Sequence, residues 1–320
     1  MKNPFKNISF DECKSCPLCD GNRFTQILAG DRYDMKIQTC ICDDCHFVFT
    51  NPYPSKSDID LFYSNNYWDI YFKSSSNSGT ILDARKSRCE KYLAFILPHL
   101  QLKKEDNQEL HFIDIGGGEG VLTGLIKEQG LGKTYLFEPS DSERTIATDS
   151  CNADFITSDI DELCLNLEQT RKTNDLTIVT CTHVLEHVSS FEFFFQQLGQ
   201  IVRDKDIVYI DVPDVMKYDH IKEIHIAHKW HFSKATLAKL FFKYGYHAVE
   251  LDSYSPIQHP HSVRAIFRKG CETFDNNYGD LDNNEELISI FKNIEESEII
   301  WNSKYRKFRR YIKGLINRFS

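Results

Sequence analysis

Four cysteines near the start of the sequence have the spacing of a metal site. They form two Cys-x-x-Cys pairs, Cys16 with Cys19 and Cys42 with Cys45, and 22 residues separate the two pairs. Two residues between thiolates allow one tight turn to direct both sulfurs at one ion, and two such turns complete the tetrahedron that Zn²⁺ prefers. Because four protein ligands leave no position for water, the pattern predicts a structural zinc site.

Three further residues leave the exact ligand set open. Cys13, Cys40 and His46 lie close to the pairs in sequence, and each could replace one ligand. Unpaired thiols in a small lobe are the competing interpretation. Only about 50 residues surround the site, too few for a sufficient hydrophobic core, so a bound ion would supply much of the folding free energy of this module.

A glycine-rich segment follows the apolar run at 110–113. Residues 114–120 read DIGGGEG, and glycines at a strand-to-helix turn let backbone N–H groups come close to a ligand. The Gly-x-Gly-x-x-Gly spacing of dinucleotide folds would place its third glycine at Val121. The spacing fits acidic-x-Gly-x-Gly-x-Gly instead, in which the carboxylate of Asp114 favours a cationic ligand over a pyrophosphate.

Polar residues also follow the next three predicted strands. They are Glu138 and Pro139, then Asp159 and Ile160, then Thr182 and His183. A carboxylate at the tip of the second strand can accept hydrogen bonds from both ribose hydroxyls, and Asp159 can accept one from an adenine amino group. Because the carboxyl ends of parallel strands share one edge of a sheet, these residues predict one ligand crevice.

Histidines are concentrated after the fifth predicted strand. They are His220, His225, His228 and His231, while His187 follows the fourth strand. Histidine suits a general base near neutral pH, whereas a solvated cluster or packing against Trp230 is the structural alternative. The spacings of five, three and three come with no carboxylate pattern typical of a metal site, so we do not expect these histidines to bind a metal ion.

These residues must be positioned by an alternation of strands and helices. Strands are predicted at 110–115, 133–138, 154–158, 176–182, 206–212, 246–253 and 261–268. Helices are predicted at 119–129, 141–150, 160–170, 190–203 and 233–244. This order predicts an α/β fold with a doubly wound, mostly parallel seven-stranded sheet.

The composition is that of an ordinary globular protein. Among 320 residues, 38 basic against 47 acidic ones give a formal charge of −9. Nucleic-acid binding is not expected, since a polyphosphate partner needs a positive field. No apolar segment has the length of a membrane span or the pattern of a signal peptide. We therefore expect a cytoplasmic, reducing location in which cysteines remain thiols or metal ligands.

The last segment changes its charge along the chain. Residues 271–300 contain nine acidic residues and one lysine, whereas residues 301–320 contain seven basic residues and no acidic one. An apolar stripe at helical spacing predicts an amphipathic C-terminal helix in the basic part. Contact with an anionic membrane surface, packing on the acidic body of the protein and self-pairing into a homo-oligomer are the three interpretations.

Taken together, the motifs resemble a known enzyme family. The run from Phe112 to Gly120, with Glu138, Asp159 and the HVLEH segment at 183–187, resembles the Rossmann-like (class I) S-adenosylmethionine-dependent methyltransferases. The cysteine pairs, followed by FVFTNP, are similar to the zinc-binding domain fused to some of these enzymes. Such fusions are common among enzymes that modify nucleotide sugars and surface glycans. The resemblance covers residues 13–268.

The resemblance implies a domain organisation and a set of cofactor contacts. The domains would be a zinc-binding module (1–55), an aromatic helical linker that covers the substrate (56–105), the methyltransferase domain (106–270) and an acidic-then-basic tail (271–320). The methionine part and sulfonium side of the cofactor would contact Asp114, Gly116 and Gly118. The ribose would contact Glu138, the adenine would contact Asp159 and Ile160, and Thr182 and His183 would lie beside the cofactor. Glu119 and Pro139 are two further cofactor-binding residues.

The resemblance also implies the reaction and two catalytic residues. His228, four residues before Phe232, matches a histidine that acts near the substrate in related sugar C-methyltransferases, and His187 matches another active-site histidine. Those enzymes usually have glutamate where this chain has Ala227, and they carry a large third domain. O-methylation of a sugar or nucleotide-sugar hydroxyl is therefore favoured over C-methylation. A non-catalytic scaffold and an NAD-dependent or nucleotide-sugar enzyme on the same sheet are the alternatives.

Overall fold

Short strands build the cysteine-rich N-terminal module. The computed structural model describes residues 8–31, 37–59, 78–100, 108–256, 261–270 and 284–298. In this module, β1 (Phe10–Asp11) pairs with β5 (Tyr53–Pro54), while β2 (Phe24–Ala29), β3 (Gln38–Cys42) and β4 (Val48–Thr50) form an antiparallel sheet. The first cysteine pair lies in the turn before β2. In the second pair, Cys42 ends β3 and Cys45 lies in the turn that follows it.

The methyltransferase-like part of the chain, from residue 78 to residue 269, begins with a long helix and then alternates strands and helices. Its helices are α1 (Ser78–Ile96), α2 (Val121–Glu128), α3 (Asp141–Ser150), α4 (Ile160–Thr170), α5 (Phe191–Ile201) and α6 (Lys234–Lys243). Its strands are β6 (Leu110–Ile115), β7 (Lys133–Phe137), β8 (Phe155–Thr157), β9 (Leu176–Thr182), β10 (Ile207–Pro213), β11 (Trp230–His231), β12 (Tyr246–Tyr254) and β13 (Ser262–Lys269).

Seven of these strands form one sheet in the order β8-β7-β6-β9-β10-β13-β12. All neighbours from β8 to β10 are parallel, and β13 runs antiparallel to both β10 and β12. The predicted α/β fold with a mostly parallel seven-stranded sheet is confirmed. Each predicted element between 106 and 270 is present, and its ends differ from the prediction by at most two residues. The start of α2 moves to Val121 because Gly120 has a φ of 75° and is not helical.

The N-terminal sheet extends into the second half of the chain. β11 pairs antiparallel with β4, with Trp230 opposite Phe49 and His231 opposite Val48, so the small sheet has four strands in the order β2-β3-β4-β11. An aromatic cluster covers this junction. Its members are Phe47, Phe49, Phe191, Trp230 and Phe232. The module and the methyltransferase-like part therefore share one core.

A helix at 284–298, α7, adds a second contact to the small sheet. Its buried residues Leu287, Phe291 and Ile294 pack in one cluster with residues of β2, β3 and β4. None of the helices in the described part of the chain combines the length and apolar character that crossing a lipid bilayer needs. The predicted basic helix at 301–320 lies outside the described residues.

We predict that Phe47→Ala lowers the free energy of unfolding by about 3–5 kcal/mol, the usual cost of removing a buried phenylalanine ring. Phe47 is 1% exposed, and its ring lies 5.5 Å from that of Phe232 and 6.1 Å from that of Trp230. Urea denaturation measures the change. Phe193→Ala is the matched control, because Phe193 is 60% exposed and should change stability by less than about 0.5 kcal/mol. Equal effects of the two substitutions would contradict the shared core.

Candidate active site

The strand register aligns the predicted cofactor residues along one edge of the sheet. Ile115 lies opposite Phe137 on one side and Cys181 on the other, and Phe137 lies opposite Thr157. The carboxyl ends of β6, β7, β8 and β9 therefore lie in one row. The residues at or directly after these ends are, in the same order, the glycine loop, Glu138, the Asp159 segment and Thr182. This is the edge at which open α/β sheets bind ligands.

The glycine loop is held in a conformation that suits glycine. Gly116 and Gly118 have φ angles of +65° and +56°, in the left-handed region that other residues avoid. A Cβ atom at Gly116 would lie 2.5 Å from the Cγ2 atom of Val184, and one at Gly118 would lie 2.7 Å from Oε2 of Glu143. At Gly116 the loop thus packs closely against the segment after β9, and at Gly118 it lies against the side chain of Glu143 on α3.

Glu138 ties the loop to the end of β7. Its Oε2 accepts a hydrogen bond from the backbone N–H of Gly118 at 2.9 Å, and its Oε1 accepts one from the N–H of Ser140 at 2.7 Å. Burial raises the pKa of Glu138, while these two hydrogen bonds act to lower it. A carboxylate has about four acceptor positions, so Glu138 can still accept hydrogen bonds from a ribose.

Asp114 is buried beneath the glycine loop, and both oxygens of its carboxylate already accept hydrogen bonds from the protein. Its Oδ1 accepts a hydrogen bond from the hydroxyl of Thr180 at 2.8 Å, and its Oδ2 accepts one from the hydroxyl of Thr123 at 3.0 Å. The residue is 2% exposed, and burial raises its pKa to about 6. In this structure Asp114 joins β6, β9 and α2 under the glycine loop, and its contact with the cofactor stays a prediction.

The remaining predicted cofactor residues have different degrees of exposure. Asp159 is exposed and caps α4, since its Oδ1 accepts hydrogen bonds from the N–H groups of Asp161 and Glu162 at 2.8 Å and 3.3 Å. Pro139 is also exposed, while Ile160 is half-buried. Glu119 forms an ion pair with Arg85 of α1, so the first helix contacts the loop directly.

His183 is held between two buried carboxylates. Its Nδ1 lies 3.2 Å from Oε1 of Glu186, and its Nε2 lies 3.0 Å from Oδ1 of Asp211. Burial alone would lower the pKa of His183, but hydrogen bonds to Asp211 and Glu186 raise it to about 9. The residue also has a φ of +54°, a conformation that is uncommon for histidine. Its ring therefore contacts the protein on both sides, which the sequence interpretation did not include.

Four of the five candidate histidines lie together. The rings of His187 and His228 are 4.9 Å apart between centroids, those of His225 and His228 are 3.7 Å apart, and those of His228 and His231 are 6.4 Å apart. The Nδ1–H of His187 donates a hydrogen bond to the carbonyl of Ala227 at 2.7 Å. His220 is exposed at the start of a separate 3-10 turn.

Glu186 is the residue that the sequence interpretation missed. It lies 1% exposed in the 3-10 turn Leu185–His187, and its Oε1 is 3.8 Å from Nε2 of His187. One ligand atom from each of Glu186, His187 and His228 lies within 4.8 Å of the others, a grouping that could hold a metal ion. The expectation that no carboxylate accompanies these histidines was therefore wrong, because the carboxylate comes from the segment after β9. The HVLEH spacing, which places residues 183, 186 and 187 on one side of a turn, is the signal that could have revealed it.

The four predicted cysteines form a second group that could hold a metal ion. The sulfurs of Cys16 and Cys45 are 3.5 Å apart, and those of Cys19 and Cys42 are 3.6 Å apart. A tetrahedral zinc ion with bonds of about 2.3 Å separates its sulfur ligands by about 3.8 Å. The hydrogen bond between Cys45 and Cys16 lowers the pKa of Cys16 to about 6 and raises that of Cys45, while burial raises the pKa of Cys42 to about 11. A bound metal ion would replace the proton of each thiol.

The two other cysteines near the pairs, Cys13 and Cys40, are outside this group. The thiol of Cys40 donates to the backbone carbonyl of Asn51 at 3.6 Å, and the N–H of Cys13 donates to the side chain of Asn51 at 2.9 Å. The described part of the chain contains a third group of potential metal ligands, in which one ligand atom from each residue lies within 4.8 Å of the others. Its members are Glu109, His111 and Asp175. It lies at the amino ends of the strands, where His111 bonds to Tyr135 and Asp175.

Comparison with known proteins assigns the chain to an enzyme family. A family described as a methyltransferase domain matches residues 82–251, more than half of the chain. The chain belongs to this methyltransferase family, and the prediction of a methyltransferase is confirmed. No curated protein matches the sequence.

Several solved structures resemble this one. Magnesium protoporphyrin IX methyltransferase from Synechocystis PCC 6803, with bound SAM, is 12% identical, and the match covers 67% of this chain and 96% of that one with a TM-score of 0.44. A SAM-dependent methyltransferase from Archaeoglobus fulgidus is 16% identical, with coverages of 64% and 100% and a TM-score of 0.46. The plantazolicin methyltransferase in complex with SAH is 15% identical, with coverages of 68% and 92% and a TM-score of 0.43.

We predict that His183 makes the stability of the protein depend on pH above neutrality. A raised folded-state pKa means that the contribution of His183 is complete below its unfolded pKa of about 6.5 and is lost as the pH rises through about 9. The free energy of unfolding of the wild type should therefore fall between pH 6.5 and 9.5 by up to about 3 kcal/mol relative to His183→Gln. Urea unfolding at a series of pH values measures this difference. His220→Gln serves as the control, and a wild-type minus His183→Gln difference that is constant with pH would contradict the assignment.

Proposed function

We propose that this methyltransferase takes its methyl group from S-adenosylmethionine and transfers it to a hydroxyl group of a small acceptor, a sugar or a nucleotide sugar. The observation that supports this most directly is the row of strand ends. It aligns the glycine loop and Glu138 with Asp159, Thr182 and the histidine–glutamate segment on one edge of the sheet. The donor and acceptor sites are thus neighbours.

Carboxylates crowd around the glycine loop, and this suits a cationic cofactor. Burial, with the charges of Glu138 and Glu119, raises the pKa of Glu143 to about 7. Glu143 lies against Gly118, whose N–H donates to Glu138. When bound, S-adenosylmethionine supplies a methyl group on a positively charged sulfur. A pyrophosphate at the same loop would be repelled, which opposes the alternative of an NAD-dependent enzyme.

In this proposal each strand end binds one part of the cofactor. Glu138 and Pro139 bind the ribose, Asp159 and Ile160 bind the adenine, and Thr182 lies beside the methyl-bearing end with His183. Asp114, Gly116, Gly118 and Glu119 surround the methionine part. Because Asp114 is enclosed by two threonines, it acts by holding the shape of the loop and by its charge.

His187 and His228 are the proposed catalytic residues. A hydroxyl must lose its proton as it attacks the methyl group, and the acceptor has to lie in line with the donor at about 3 Å. The Ala227 carbonyl fixes the ring of His187 through Nδ1, so Nε2 is the atom of the neutral ring that can accept a proton. The absence of a glutamate at position 227 still favours O-methylation over C-methylation.

The four-cysteine group is proposed to bind one structural zinc ion. Cys16, Cys19, Cys42 and Cys45 provide four sulfurs, a complete tetrahedral set that leaves no position for substrate. The backbone N–H of Cys42 donates to the carbonyl of Phe47 at 2.9 Å. The ion therefore stabilises the turn between β3 and β4 and, through Phe47, the aromatic junction.

The proposal also includes a location and partners. A reducing cytoplasm keeps the thiols available for zinc, and peripheral membrane contact through residues 301–320 would bring the enzyme close to glycan assembly at the inner face of a membrane. A small-molecule acceptor is the expected partner. Self-association into a homo-oligomer is the alternative role of residues 301–320.

We predict that the protein binds S-adenosylhomocysteine and that Glu138→Gln weakens this binding by about tenfold or more, the usual effect of losing a charged hydrogen-bond acceptor. Isothermal titration calorimetry measures the affinity, with NAD as the competing ligand. Glu192→Gln is the control, because Glu192 is exposed on α5. Binding of NAD without binding of S-adenosylhomocysteine would overturn the proposed cofactor.

Methyl transfer itself is tested with the wild-type protein and two histidine variants. With labelled S-adenosylmethionine and a panel of nucleotide sugars, one acceptor should become methylated. His187→Ala should reduce the rate by about 10²–10⁴-fold and leave the affinity for S-adenosylhomocysteine unchanged. His220→Ala should have no effect on either quantity. A scaffold without turnover would bind the cofactor and methylate no acceptor.

We predict one zinc ion per purified chain and its loss in Cys19→Ser. Without the ion the β3–β4 turn loses its cross-link, so the melting temperature should fall by at least about 10 °C, equivalent to roughly 3 kcal/mol. Elemental analysis and thermal unfolding provide the two measurements. Cys164→Ser should retain zinc, since Cys164 lies on α4, outside the four-cysteine group. Full zinc content in Cys19→Ser would contradict the ligand set.

A further inference from the structure

Three side chains after β9 and before β11 have the composition of a second metal site. Glu186, His187 and His228 each offer one ligand atom, and these atoms lie within 4.8 Å of one another. We propose that this Glu–His–His site binds one divalent transition-metal cation, separate from the ion of the four cysteines. Two imidazoles and one carboxylate are a donor set for iron(II), manganese(II) and zinc(II), and they leave coordination positions open for another ligand.

The imidazole of His187 is oriented as a metal ligand is. Its Nδ1–H donates to the carbonyl of Ala227 at 2.7 Å, so the lone pair of the neutral ring is on Nε2, which lies 3.8 Å from Oε1 of Glu186. Metal-binding histidines almost always donate their other N–H to a carbonyl or a carboxylate in this way. Glu186 is held in turn by His183, whose Nδ1 is 3.2 Å from the same oxygen.

Two buried polar atoms of the site have no hydrogen-bond partner among the described residues. They are Oε2 of Glu186 and Nδ1 of His228. Buried polar atoms are rarely left without a partner in folded proteins, and each such atom costs about 1–3 kcal/mol. A carboxylate oxygen and the nitrogen of a neutral imidazole can each donate an electron pair, so a cation held by Glu186 and His228 would give both residues a partner. The His228 ring is fixed by its contact with His225, at 3.7 Å between centroids.

The backbone holds the two halves of the site together. The N–H of Lys229 donates to the carbonyl of Glu186 at 3.0 Å, and the indole N–H of Trp230 donates to the carbonyl of Val188 at 2.7 Å. The segment with His228 is thereby fastened alongside the segment with Glu186 and His187. A site whose ligands are fixed before binding loses little conformational entropy when the ion arrives.

The consequence for the reaction rests on the proposed function. An acceptor hydroxyl at an open coordination position would have a lowered pKa and would lose its proton to solvent more readily. Its oxygen would then form the bond to the methyl carbon while the carbon–sulfur bond breaks with its electron pair going to sulfur. In this arrangement His187 and His228 act on the acceptor through the cation that they hold.

Manganese(II) binding to the full-length, zinc-loaded protein tests the site without any acceptor. Mn²⁺ prefers nitrogen and oxygen ligands and does not compete for thiolates, and its free-ion signal in electron paramagnetic resonance disappears on binding. We expect one Mn²⁺ per wild-type chain. Glu186→Gln and His228→Ala should weaken binding by at least about tenfold, while His220→Ala retains it.

Retained zinc content and affinity for S-adenosylhomocysteine show that each variant is folded. The wild type also provides a test that needs no variant, because bound Mn²⁺ should show nitrogen couplings from imidazole in pulsed spectra. Absence of stoichiometric binding, absence of nitrogen coupling, or wild-type affinity in both variants would overturn the site. If the metal-free enzyme methylates its acceptor at the full rate, the inferred role in the reaction fails and the proposed function stands. If Mn²⁺ binds as expected but no acceptor is methylated, the site stands and the proposed function fails.

Discussion

The pairing of β4 with β11 is the contact on which the active-site geometry depends. The N–H of Thr50 donates to the carbonyl of Lys229 at 2.9 Å, and its hydroxyl donates to the carbonyl of His228 at 3.0 Å and contacts Nε2 of His231 at 3.5 Å. On its other side the same segment is bound to the turn after β9. The histidine segment is therefore held between a strand of the cysteine module and the carboxyl edge of the large sheet, so the small module takes part in positioning the histidines that we propose as catalytic.

Buried charge is the second constraint on this region. Asp211 is fully buried on β10 and interacts with His183, with the hydroxyl of Tyr209 at 3.3 Å and with the hydroxyl of Tyr254. Taking carboxylates out of water is costly unless they are paired and hydrogen-bonded. The imidazolium of His183 pairs with two of them, Asp211 and Glu186, which gives a physical reason for the uncommon backbone conformation at this residue. The pair also orients Glu186 towards His187.

Local patterns in the sequence were sufficient to predict the strands and helices of the large sheet. They were also sufficient to predict which strand ends carry the candidate cofactor residues. A short apolar run indicates a strand that is buried on both faces, and an amphipathic stretch indicates a helix that is buried on one face. Both patterns can be recognised from residues that are close in sequence. The position of Asp114 could not be predicted in the same way, because its partners Thr123 and Thr180 come from two other elements. The β4–β11 pairing joins residues about 180 positions apart, and no local pattern indicates it. Glu186 was missed for the related reason that its histidine partner, His228, lies on another segment.

The packing of α7 on the small sheet has a consequence for synthesis of the chain. Leu287, Phe291 and Ile294 complete the core around Leu28 and Ile41, yet they leave the ribosome more than two hundred residues later. During translation the apolar face of the cysteine-rich module therefore stays uncovered while the large sheet assembles. Contacts of such high sequence separation form late and slowly, so the nascent chain passes through a period in which this face is open to chaperones or to aggregation.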